Sequence, residues 1–540
     1  MRRRHDVPYA QRLRLDQHRF IETMSHKKKN ILIVMADQLT ALALGCYGNT
    51  EVKSPNIDRL AREGVLFESA YSSSPLCTPA RYAFMTGQNI SRSGGYDNAA
   101  YMPSTMPTFA HYMRLMGYKT CLSGKMHFVG ADQLHGFENR VTTDIYPADF
   151  GWVPDWTQPD ERIDLWYHNM SSVTQAGVAS ITNQLAYDDE VGAASIRTIY
   201  DHARSEDERP LCLVSSFIHP HDPYATRQKY WDMYEGIDIA LPTIPRPEQP
   251  DPHNLRLEKV IDRAAVDIDD QDIINARRAY YGNVSYVDEW LGKLQETLRD
   301  CQMEQDTTII FTADHGDMLG EFGLWYKMSF REWSCRIPMI IHNPSRYQPK
   351  RISQPVAQVD VLPTLVDIAH EATGAQKPDY IDPVDGRGLL NLCQGNVDND
   401  PNRAVSEYLA EGTGDPMLMI REGCYKYICC ASDPEQLFDL SVDGNEVNNL
   451  AEDPGHVDVM EKFRLQASQH WDQPEMKQRV IDDQKRRRAV HAALRIGRYQ
   501  GWDYEVERDA SNEYTRSHMD LTKFDIVSRY PRPKPFAPTN

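Results

Sequence analysis

The 540-residue sequence has no long apolar run. Its longest purely apolar stretch is ILIVMA at 31–36, which is far shorter than the roughly 20 residues that a membrane-spanning helix needs. The basic N-terminal region, residues 1–30, contains no apolar segment of the kind found in secretory signals. We therefore expect a protein that makes no contact with a membrane. We also expect residues 1–27 to be a poorly ordered N-terminal extension, with Met24 as a candidate native start.

Basic residues are fewer than acidic ones, and the cysteine spacing matches neither a zinc site nor a disulfide scaffold. There are 59 Lys and Arg residues against 78 Asp and Glu residues, and the net charge of −19 argues against nucleic acid as a partner. The ten cysteines show neither zinc-type paired spacings nor the density of a secreted disulfide scaffold. We therefore expect a cytoplasmic protein in which a local cluster of cations binds any anionic substrate.

Apolar runs of strand length alternate with segments of helical pattern. The runs that predict buried strands are NILIVMADQ (30–38), YKTCLSGKMH (118–127), LCLVSSFIHPHD (211–222) and TTIIFTADHGD (307–317). The helical patterns lie at 54–64, 105–116, 191–205 and 274–299. This alternation predicts a large α/β domain, residues 28–380, with a mostly parallel sheet between layers of helices.

The pattern changes from about residue 380. The runs within 414–450 alternate apolar and polar residues and contain EG and DG turns, which predicts a small antiparallel sheet. Residues 456–498 have an amphipathic helical pattern, and we interpret KRRR at 485–488 as a solvated helix face. We therefore predict an α+β subdomain over 381–499.

Two further segments lack a regular pattern. Residues 238–272 are rich in Pro, Asp and Ile without steady periodicity, which predicts a long surface excursion. Residues 500–540 are aromatic and contain proline. We predict that they form an arm that becomes ordered by docking, as an oligomer contact.

Each of the four predicted strands ends in polar, reactive residues. The pairs are Asp37 with Gln38, Lys125 with His127, His219 with His221, and Asp314 with His315. The carboxyl ends of parallel strands line one edge of a sheet, where open α/β sheets bind ligands. An aspartate after a strand is often only a helix cap, and a lone histidine is often structural. The prediction of a site therefore depends on the coincidence of all four pairs.

The two aspartates among these residues predict a metal site. Asp37 and Asp314, brought together without a cation, would repel each other in a low dielectric. A divalent cation removes this cost. The oxygen-rich donor set with Gln38 favours Ca²⁺, followed by Mg²⁺ or Mn²⁺, although His315 leans slightly toward a transition metal.

Four cationic or imidazole side chains would surround a tetrahedral anion next to this metal. They are Arg81, Lys125, His127 and Lys327. Charge-assisted hydrogen bonds of this kind are strong. For Lys327, in GLWYKMSF, the alternative is an ordinary surface lysine.

The segment CTPAR, with Cys77, Pro79 and Arg81, is followed by Thr86-Gly87. It resembles the signature of the type I sulfatases, and the four strand motifs occur in the order used by that family. The resemblance covers roughly residues 28–450. It implies an alkaline-phosphatase-like fold, hydrolysis of sulfate esters and one divalent metal per subunit. It also implies conversion of Cys77 to formylglycine by a formylglycine-generating maturation enzyme.

The resemblance implies a role for each matching residue. Cys77, as the hydrated aldehyde, would be the nucleophile. The metal ligands would be Asp37, Gln38, Cys77, Asp314 and His315. One hydroxyl of the gem-diol would attack sulfur, and the other would lose its proton as sulfate is expelled and the aldehyde re-forms.

The remaining roles concern charge and protons. Arg81 would hold the formylglycine, and Lys125 and Lys327 would hold the sulfate. His127 would take the proton from the second hydroxyl of the gem-diol, and His221 would protonate the leaving oxygen.

Within the family the sequence resembles the choline-sulfatase group, through SGKMHFVGADQLHGF, TTDIYPADFGW, DLWYHN and FIHPHDPY. This implies choline O-sulfate, or a closely related small alkyl sulfate, as the substrate. It also implies a homo-oligomer, a dimer or a tetramer, in which the C-terminal arm packs on a neighbouring subunit.

A quaternary ammonium group cannot donate hydrogen bonds and is bound by aromatic faces and carboxylates. The predicted substrate contacts for this end are Trp152, Tyr230 and Glu411, with Trp156 and Trp231 as further aromatic candidates. Asn98 would touch the sulfate or the ester oxygen, and His219 is the remaining predicted contact. The aromatic residues could instead pack in the core, and Asn98 could instead be a turn residue. His219 could instead support the site without touching the substrate.

Two other functions use the same residues. A phosphonate monoester or phosphodiester hydrolase, or an arylsulfatase, of the same superfamily would share the nucleophile and the metal ligands. A non-catalytic binding protein on this fold would be expected to have lost some of them, and the chain retains them all.

Overall fold

The computed structural model describes residues 29–159 and 168–497. The predictions for residues 1–27 and 500–540 concern residues outside this part of the chain. Among the described residues, none of the helices combines the length and the apolar character that a bilayer span requires.

The strands in the described residues are short, and most belong to one large sheet. In chain order they are β1 (Asn30–Asp37), β2 (Val65–Phe67), β3 (Ala70–Tyr71), β4 (Lys119–Gly124), β5 (Asn139–Arg140), β6 (Gly177–Val178), β7 (Leu211–Pro220), β8 (Ala225–Thr226), β9 (Thr307–Ala313), β10 (Met339–His342), β11 (Lys350–Ile352), β12 (Val356–Ala357), β13 (Arg403–Tyr408), β14 (Met417–Glu422), β15 (Tyr425–Cys430) and β16 (Asp433–Asp439).

The helices alternate with these strands through the first two thirds of the chain. They are α1 (Pro55–Glu63), α2 (Cys77–Thr86), α3 (Ile90–Ser93), α4 (Phe109–Leu115), α5 (Ser171–Thr174), α6 (Asn183–Arg204), α7 (Gln228–Asp232), α8 (Pro252–Val260), α9 (Asp270–Asp300), α10 (Glu332–Cys335), α11 (Val361–Thr373), α12 (Leu390–Gln394), α13 (Val457–His470) and α14 (Gln473–Leu494). Short 3₁₀ segments lie at Ala41–Ala43, Gly45–Tyr47, Arg263–Ala265, Glu304–Asp306, Glu321–Gly323, Gln358–Asp360 and Pro454–His456.

The main sheet of the described residues has the strand order β11-β2-β10-β9-β1-β7-β4-β5. Its centre, β9-β1-β7-β4, is parallel and consists of the four strands that the sequence predicts. Only β10 runs antiparallel to its neighbours, β9 and β2, in this sheet. The central strands are apolar on both faces because helices cover both sides. The predicted mostly parallel sheet is confirmed.

Two helix layers enclose this sheet. On one side α6 and α9 pack against β7 and against each other, and α1 packs against α9 and β10. On the other side α2, α4 and α11 pack together, and α4 contacts β4. The carboxyl ends of β1, β4, β7 and β9 therefore meet at one edge between the two layers, which is where α2 begins.

The C-terminal part contains a four-stranded antiparallel sheet in the order β13-β14-β15-β16. Gly423, at φ 58°, makes the tight turn between β14 and β15. Helix α13 covers the outer face of the sheet, where Met460 and Phe463 pack on Leu418 and Leu437. The predicted antiparallel sheet is confirmed, whereas the boundaries proposed near residues 380 and 499 stay predictions.

Three segments differ from the sequence-based expectation. The excursion over 238–272 contains the helix α8, whose His253 is buried. The single helix expected over 456–498 is two helices, because Asp472 caps α14 and Pro474 lies in its first turn. Residues 485–488 are not uniformly solvated, since Arg487 is only 5% exposed.

Candidate active site

Cys77 is the first residue of α2 and is buried. The backbone N–H of Thr78 cannot be satisfied within the helix, and it donates to Asn98 Oδ1 at 3.0 Å. The Cys77 side chain therefore lies at a helix N-terminus that an outside loop holds in place. Negative charge at this position is favoured by the unpaired N–H groups of the first turn.

Four buried side chains around Cys77 could share a metal ion. They are Asp37 at the end of β1, Cys77 itself, and Asp314 and His315 after β9, and one ligand atom from each lies within 4.8 Å of all the others. Cys77 Sγ is 3.2 Å from His315 Nε2 and 4.0 Å from Asp37 Oδ1. The parallel arrangement of β1 and β9 brings the two carboxylates together, as predicted.

Arg81, one turn along α2, neutralises both carboxylates from the side away from Cys77. Its Nη2 donates to Asp37 Oδ2 at 2.8 Å, and its Nε donates to Asp314 Oδ2 at 3.0 Å. Its Nη1 donates to Ser216 Oγ and to the carbonyl of Lys125. Burial alone would raise the pKa of Asp37, but the ion pairs with Lys125 and Arg81 hold this pKa well below its usual value.

The His315 ring presents an unprotonated nitrogen to the site. Its Nδ1 lies 3.0 Å from the carbonyl of Gly316, so Nδ1 carries the proton and Nε2 keeps its lone pair. Burial lowers the pKa of His315 to about 4, against the opposing effect of Asp314. The imidazole is therefore neutral at neutral pH, as a metal ligand must be.

Gln38 turns its amide oxygen toward the site. Its Nε2 donates to Asp317 Oδ2 at 2.6 Å, which leaves Oε1 as the acceptor of a 2.7 Å hydrogen bond from Lys327 Nζ. Burial raises the pKa of Asp317 to about 6, although hydrogen bonds from Leu319 N and Gln38 oppose this. The hydrogen bond to Asp317 therefore orients the Gln38 amide so that its oxygen faces the site.

This donor set fits a divalent cation. Asp37 and Asp314 offer carboxylate oxygens, Gln38 offers an amide oxygen and His315 offers a neutral nitrogen. Two atoms bound to one Ca²⁺ at about 2.3–2.6 Å can be no more than about 5 Å apart. The 4.8 Å limit on the separations of the four clustered ligand atoms meets this condition.

Lys327 bridges the nucleophile position and His221. Its Nζ is 3.3 Å from Cys77 Sγ and 2.7 Å from His221 Nε2. His221 Nδ1 lies 2.6 Å from the carbonyl of Asp222, so Nε2 is the nitrogen that accepts from Lys327. Burial and the charge of Lys327 lower the pKa of His221 far below its ordinary value. Burial also acts to lower the pKa of Lys327, but Cys77 and Asp37 raise this pKa above its ordinary value. The proton of this pair therefore resides on Lys327.

Lys125 and His127 follow β4 and face the same space. Lys125 Nζ lies 4.2 Å from the ring centroid of Tyr146. The backbone N–H of His127 donates to Asp144 Oδ2 at 2.7 Å, and its ring packs edge-on against Trp152 at 5.7 Å. Burial lowers the pKa of His127, in opposition to a hydrogen bond with Cys77.

A small cavity opens beside the nucleophile position. The residues that line it are Cys77, Asn98, Tyr146, Trp152, His168, His221, Lys327 and Glu411. Its volume is about 20 Å³, which is room for about one water molecule. Lys327 Nζ lies 3.3 Å from Cys77 Sγ at the wall of this cavity.

Glu411 gives this cavity a buried carboxylate on the side away from the metal ligands. It is 7% exposed, and its Oε2 has no hydrogen-bond partner in residues 29–159 and 168–497. Burial raises its pKa to about 7. A buried carboxylate without a partner is costly, and a cationic ligand would remove that cost.

Most of the predicted site residues come together here, but several do not line the cavity. Tyr230 instead donates from its hydroxyl to Glu289 at 3.2 Å, and His219 contacts Asp188 at 2.6 Å. Trp231 packs under Arg278. Trp156 is buried and donates to the carbonyl of Ala410, so it supports the cavity from behind.

Two cavity residues, Tyr146 and His168, were absent from the sequence-based set. They lie in long connections, and neither follows a central strand. His168 stacks on Tyr326 at 4.7 Å between ring centroids. The segments TTDIYPADFGW and DLWYHN contain these residues, but nothing in their spacing distinguishes a cavity residue from a core residue.

The buried carboxylates and the cations around them suit an enzyme that acts on an anionic substrate. A family model described as Sulfatase matches residues 29–371, and one described as Choline sulfatase enzyme C terminal matches residues 478–530. A third, described as N-sulphoglucosamine sulphohydrolase, C-terminal, matches residues 320–473. The chain belongs to the sulfatase family and is a sulfuric ester hydrolase with the alkaline-phosphatase-like fold.

Relatives cover most of the chain. It is 47% identical over 518 residues to a choline-sulfatase of Rhizobium meliloti (strain 1021), covering 94% of this chain and 100% of that one. It is 27% identical to an uncharacterized sulfatase of Escherichia coli (strain K12), covering 81% and 86%. The crystal structure of the phosphonate monoester hydrolase of Agrobacterium radiobacter superposes with a TM-score of 0.64 at 22% identity, covering 82% and 96%. The last similarity concerns the fold alone.

Proposed function

We propose that this sulfatase hydrolyses choline O-sulfate to choline and inorganic sulfate. The observation that carries the proposal is the buried carboxylate of Glu411, which lines the same small cavity as Cys77 and whose Oε2 has no hydrogen-bond partner in residues 29–159 and 168–497. Tyr146 and Trp152 add aromatic faces to that cavity. A quaternary ammonium group suits this wall because it brings positive charge but no hydrogen-bond donor. The 47% identity to a choline-sulfatase supports the same substrate.

We infer that Cys77 is converted to formylglycine by a formylglycine-generating maturation enzyme. The CTPAR segment places it at the start of a buried helix, where His315 Nε2 at 3.2 Å and Lys327 Nζ at 3.3 Å surround the side chain. These neighbours suit oxygen atoms at this position. The hydrated aldehyde would supply one hydroxyl to attack sulfur and a second that allows sulfate to leave.

The metal proposed here is Ca²⁺, with Mg²⁺ or Mn²⁺ as alternatives. Asp37, Gln38, Asp314 and His315 would hold it together with the modified Cys77. Oxygen donors from three of the four unmodified side chains favour Ca²⁺. The ion would supply positive charge next to the sulfate oxygens, which otherwise shield sulfur from attack.

The chain's own cations complete the binding of sulfate. Lys125 and Lys327 would donate to the sulfate oxygens, while Arg81 holds both carboxylates in place through its hydrogen bonds. His221 Nε2 would take the proton that resides on Lys327 and deliver it to the leaving oxygen, which leaves Lys327 neutral. His127, whose pKa burial lowers, is neutral at neutral pH and would accept the proton that accompanies sulfate release.

The remaining proposals concern the cell. We propose a homo-oligomer, a dimer or a tetramer, through residues 500–540, and action in the cytoplasm. All ten cysteines are free in the structure, which suits a reducing compartment.

The substrate can be tested by comparing three esters on the mature enzyme. Choline sulfate is compared with its neutral isostere, 3,3-dimethylbutyl sulfate, and with a phenyl phosphonate monoester. We expect kcat/KM for choline sulfate to exceed that of the isostere by about 10- to 30-fold, the effect of a buried cation–π contact. Faster turnover of the phosphonate would overturn the proposal in favour of a phosphonate hydrolase.

The nucleophile can be tested by mass spectrometry of the tryptic peptide that contains Cys77. Protein from the native host should show the lower mass of an aldehyde in place of the thiol. Cys77→Ala should fold with an unchanged thermal transition and show no turnover. Unmodified thiol alone in active protein would contradict the proposed chemistry.

A further inference from the structure

The helix α14 reaches back across the molecule to the loops that form the cavity. It is polar around most of its surface, and only Met476, Val480, Gln484 and Arg487 are buried. Its attachments at the cavity side are therefore made mainly by ion pairs and hydrogen bonds. Residues 478–494 of this helix lie within the segment that matches the choline sulfatase C-terminal model.

One of these attachments is a bidentate pair of hydrogen bonds between Arg487 and Asp97. Arg487 Nη1 donates to Asp97 Oδ1 at 2.6 Å, and Nη2 donates to Oδ2 at 2.7 Å. Asp97 is completely buried and Arg487 is 5% exposed. Arg487 Nε also donates to Asp483 on the preceding turn at 2.8 Å, which holds the guanidinium plane. Buried bidentate pairs of this type are strong and geometrically specific.

Asp97 directly precedes Asn98, a cavity residue. Asn98 Oδ1 accepts the hydrogen bond from the N–H of Thr78, and the Thr78 hydroxyl donates to the Asn98 carbonyl at 3.3 Å. A shift of Asp97 would therefore move the Asn98 side chain, whereas the helix that holds Cys77 is also anchored by Arg81, which binds Asp37 and Asp314 at the strand ends.

The same helix also holds the loops that carry Trp152 and Glu411. Gln484 Oε1 accepts from the N–H of Trp156 at 2.9 Å, and Trp156 Nε1 donates to the carbonyl of Ala410 at 2.8 Å. Lys477 Nζ forms an ion pair with Asp415 at 2.7 Å. Helix α14 therefore supports the three parts of the cavity wall that contain Asn98, Trp152 and Glu411. The proposed metal ligands lie elsewhere, at the ends of the strands.

We propose that Arg487 is a positioning residue for the leaving-group side of the active site. It acts through Asp97, and α14 sets the spacing between Asn98, Trp152 and Glu411. This inference rests on the proposed function, because it assigns these three residues to the choline end of the ester. The sulfate end depends on Lys125, Lys327 and Arg81, which α14 does not hold in the described residues.

The test compares two sulfate esters on the mature full-length enzyme and its Arg487→Met variant. We expect KM for choline sulfate to rise about 10- to 100-fold, the effect of a displaced binding group. For 4-nitrophenyl sulfate, which has no cation to place against Glu411, we expect kcat/KM to change less than about threefold, because the sulfate side is preserved. Arg486→Met is the matched control, since Arg486 is the adjacent residue and its side chain is 74% exposed.

A second variant keeps the inference testable if Arg487→Met fails to fold. Arg487→Lys keeps the charge but replaces a planar two-fold contact by a point charge. We expect an intermediate rise in KM for choline sulfate, about 3- to 10-fold, with the thermal transition near that of the wild type.

The outcomes separate the two proposals. A selective loss on choline sulfate with a retained thermal transition supports the inference. Parallel losses on both esters, or no loss on either, would overturn it. A wild-type enzyme that turns over 4-nitrophenyl sulfate but not choline sulfate would instead overturn the proposed function, and this inference would fall with it.

Discussion

Glu411 shows how burial can prepare a single side chain for a cation. Its carboxylate is neutral below a pKa of about 7, because burial disfavours the charged form. A bound ammonium group would favour the charged form, so under the proposed function a proton and choline would compete for this residue. Substrate binding would then be sensitive to pH near neutrality, independently of the histidines to which we assign proton transfer.

This competition predicts a pH dependence of KM. As pH falls below about 7, Glu411 becomes protonated, and KM for choline sulfate should rise by up to about tenfold per pH unit. Glu411→Gln should have a high KM at every pH, with a flat profile over pH 6–8. Steady-state kinetics with 3,3-dimethylbutyl sulfate on the wild type provides the control. An equal slope in Glu411→Gln would show that another group titrates.

At the scale of elements, the site depends on where each central strand ends. Strand β4 ends at Gly124, which has φ 102° and pairs with Ser216 of β7. A Cβ at this position would lie 2.0 Å from the Ser216 carbonyl oxygen. Lys125 follows directly and donates its N–H to that same carbonyl at 3.0 Å. The absence of a side chain at Gly124 is therefore what allows Lys125 to turn toward the site.

Gly124→Ala should separate β4 from β7 and displace Lys125. We expect a loss of unfolding free energy of about 3 kcal/mol or more, from the clash and the positive φ together, and a marked fall in kcat. Gly117→Ala is the matched control, because Gly117 has φ 87° but a Cβ added there would meet no atom within 4 Å. It should cost only about 1 kcal/mol. Urea unfolding curves measure both, and equal losses would show that the clash is relieved by relaxation.

At the scale of the whole molecule, a buried ion cluster joins the C-terminal sheet to the α/β part. Lys426 on β15 is completely buried and pairs with Glu332 at 2.9 Å and Glu446 at 2.7 Å. Burial would raise the pKa of Glu332, but Lys426 holds it below its ordinary value. The stabilisation from this pair is therefore present above the ordinary carboxyl pKa and is lost as pH falls through the lower, folded-state value.

Lys426→Met should remove the cation that the two buried carboxylates share, which leaves Glu332 paired with Arg336 at 3.6 Å. We expect a loss of about 3–5 kcal/mol of unfolding free energy at pH 7, the cost of breaking a buried pair. Lys462→Met is the control, since Lys462 pairs with Glu422 but its side chain is 56% exposed, and it should cost less than about 1 kcal/mol. Denaturant titration distinguishes them, and similar small losses would show that the cluster adds no net stability.

The central strands and the reactive groups at their ends can be predicted from the order of the residues along the chain. Apolar runs of strand length indicate strands buried on both faces, and parallel pairing then brings Asp37, Lys125, His221 and Asp314 to one edge. The CTPAR motif predicts the proposed nucleophile, Cys77, from the sequence alone, because the residues of a short motif are adjacent along the chain.

The packing of the elements, in contrast, determines which residues form the rest of the cavity. It excluded Tyr230 and His219 from the wall, and it added Tyr146 and His168. The sequence pattern predicted a solvated Arg487. In the structure Arg487 is the partner of Asp97, although the two residues lie 390 positions apart in the chain. Local periodicity reports which side of an element is apolar. It does not report which distant side chain that element will meet, because this depends on how whole elements pack.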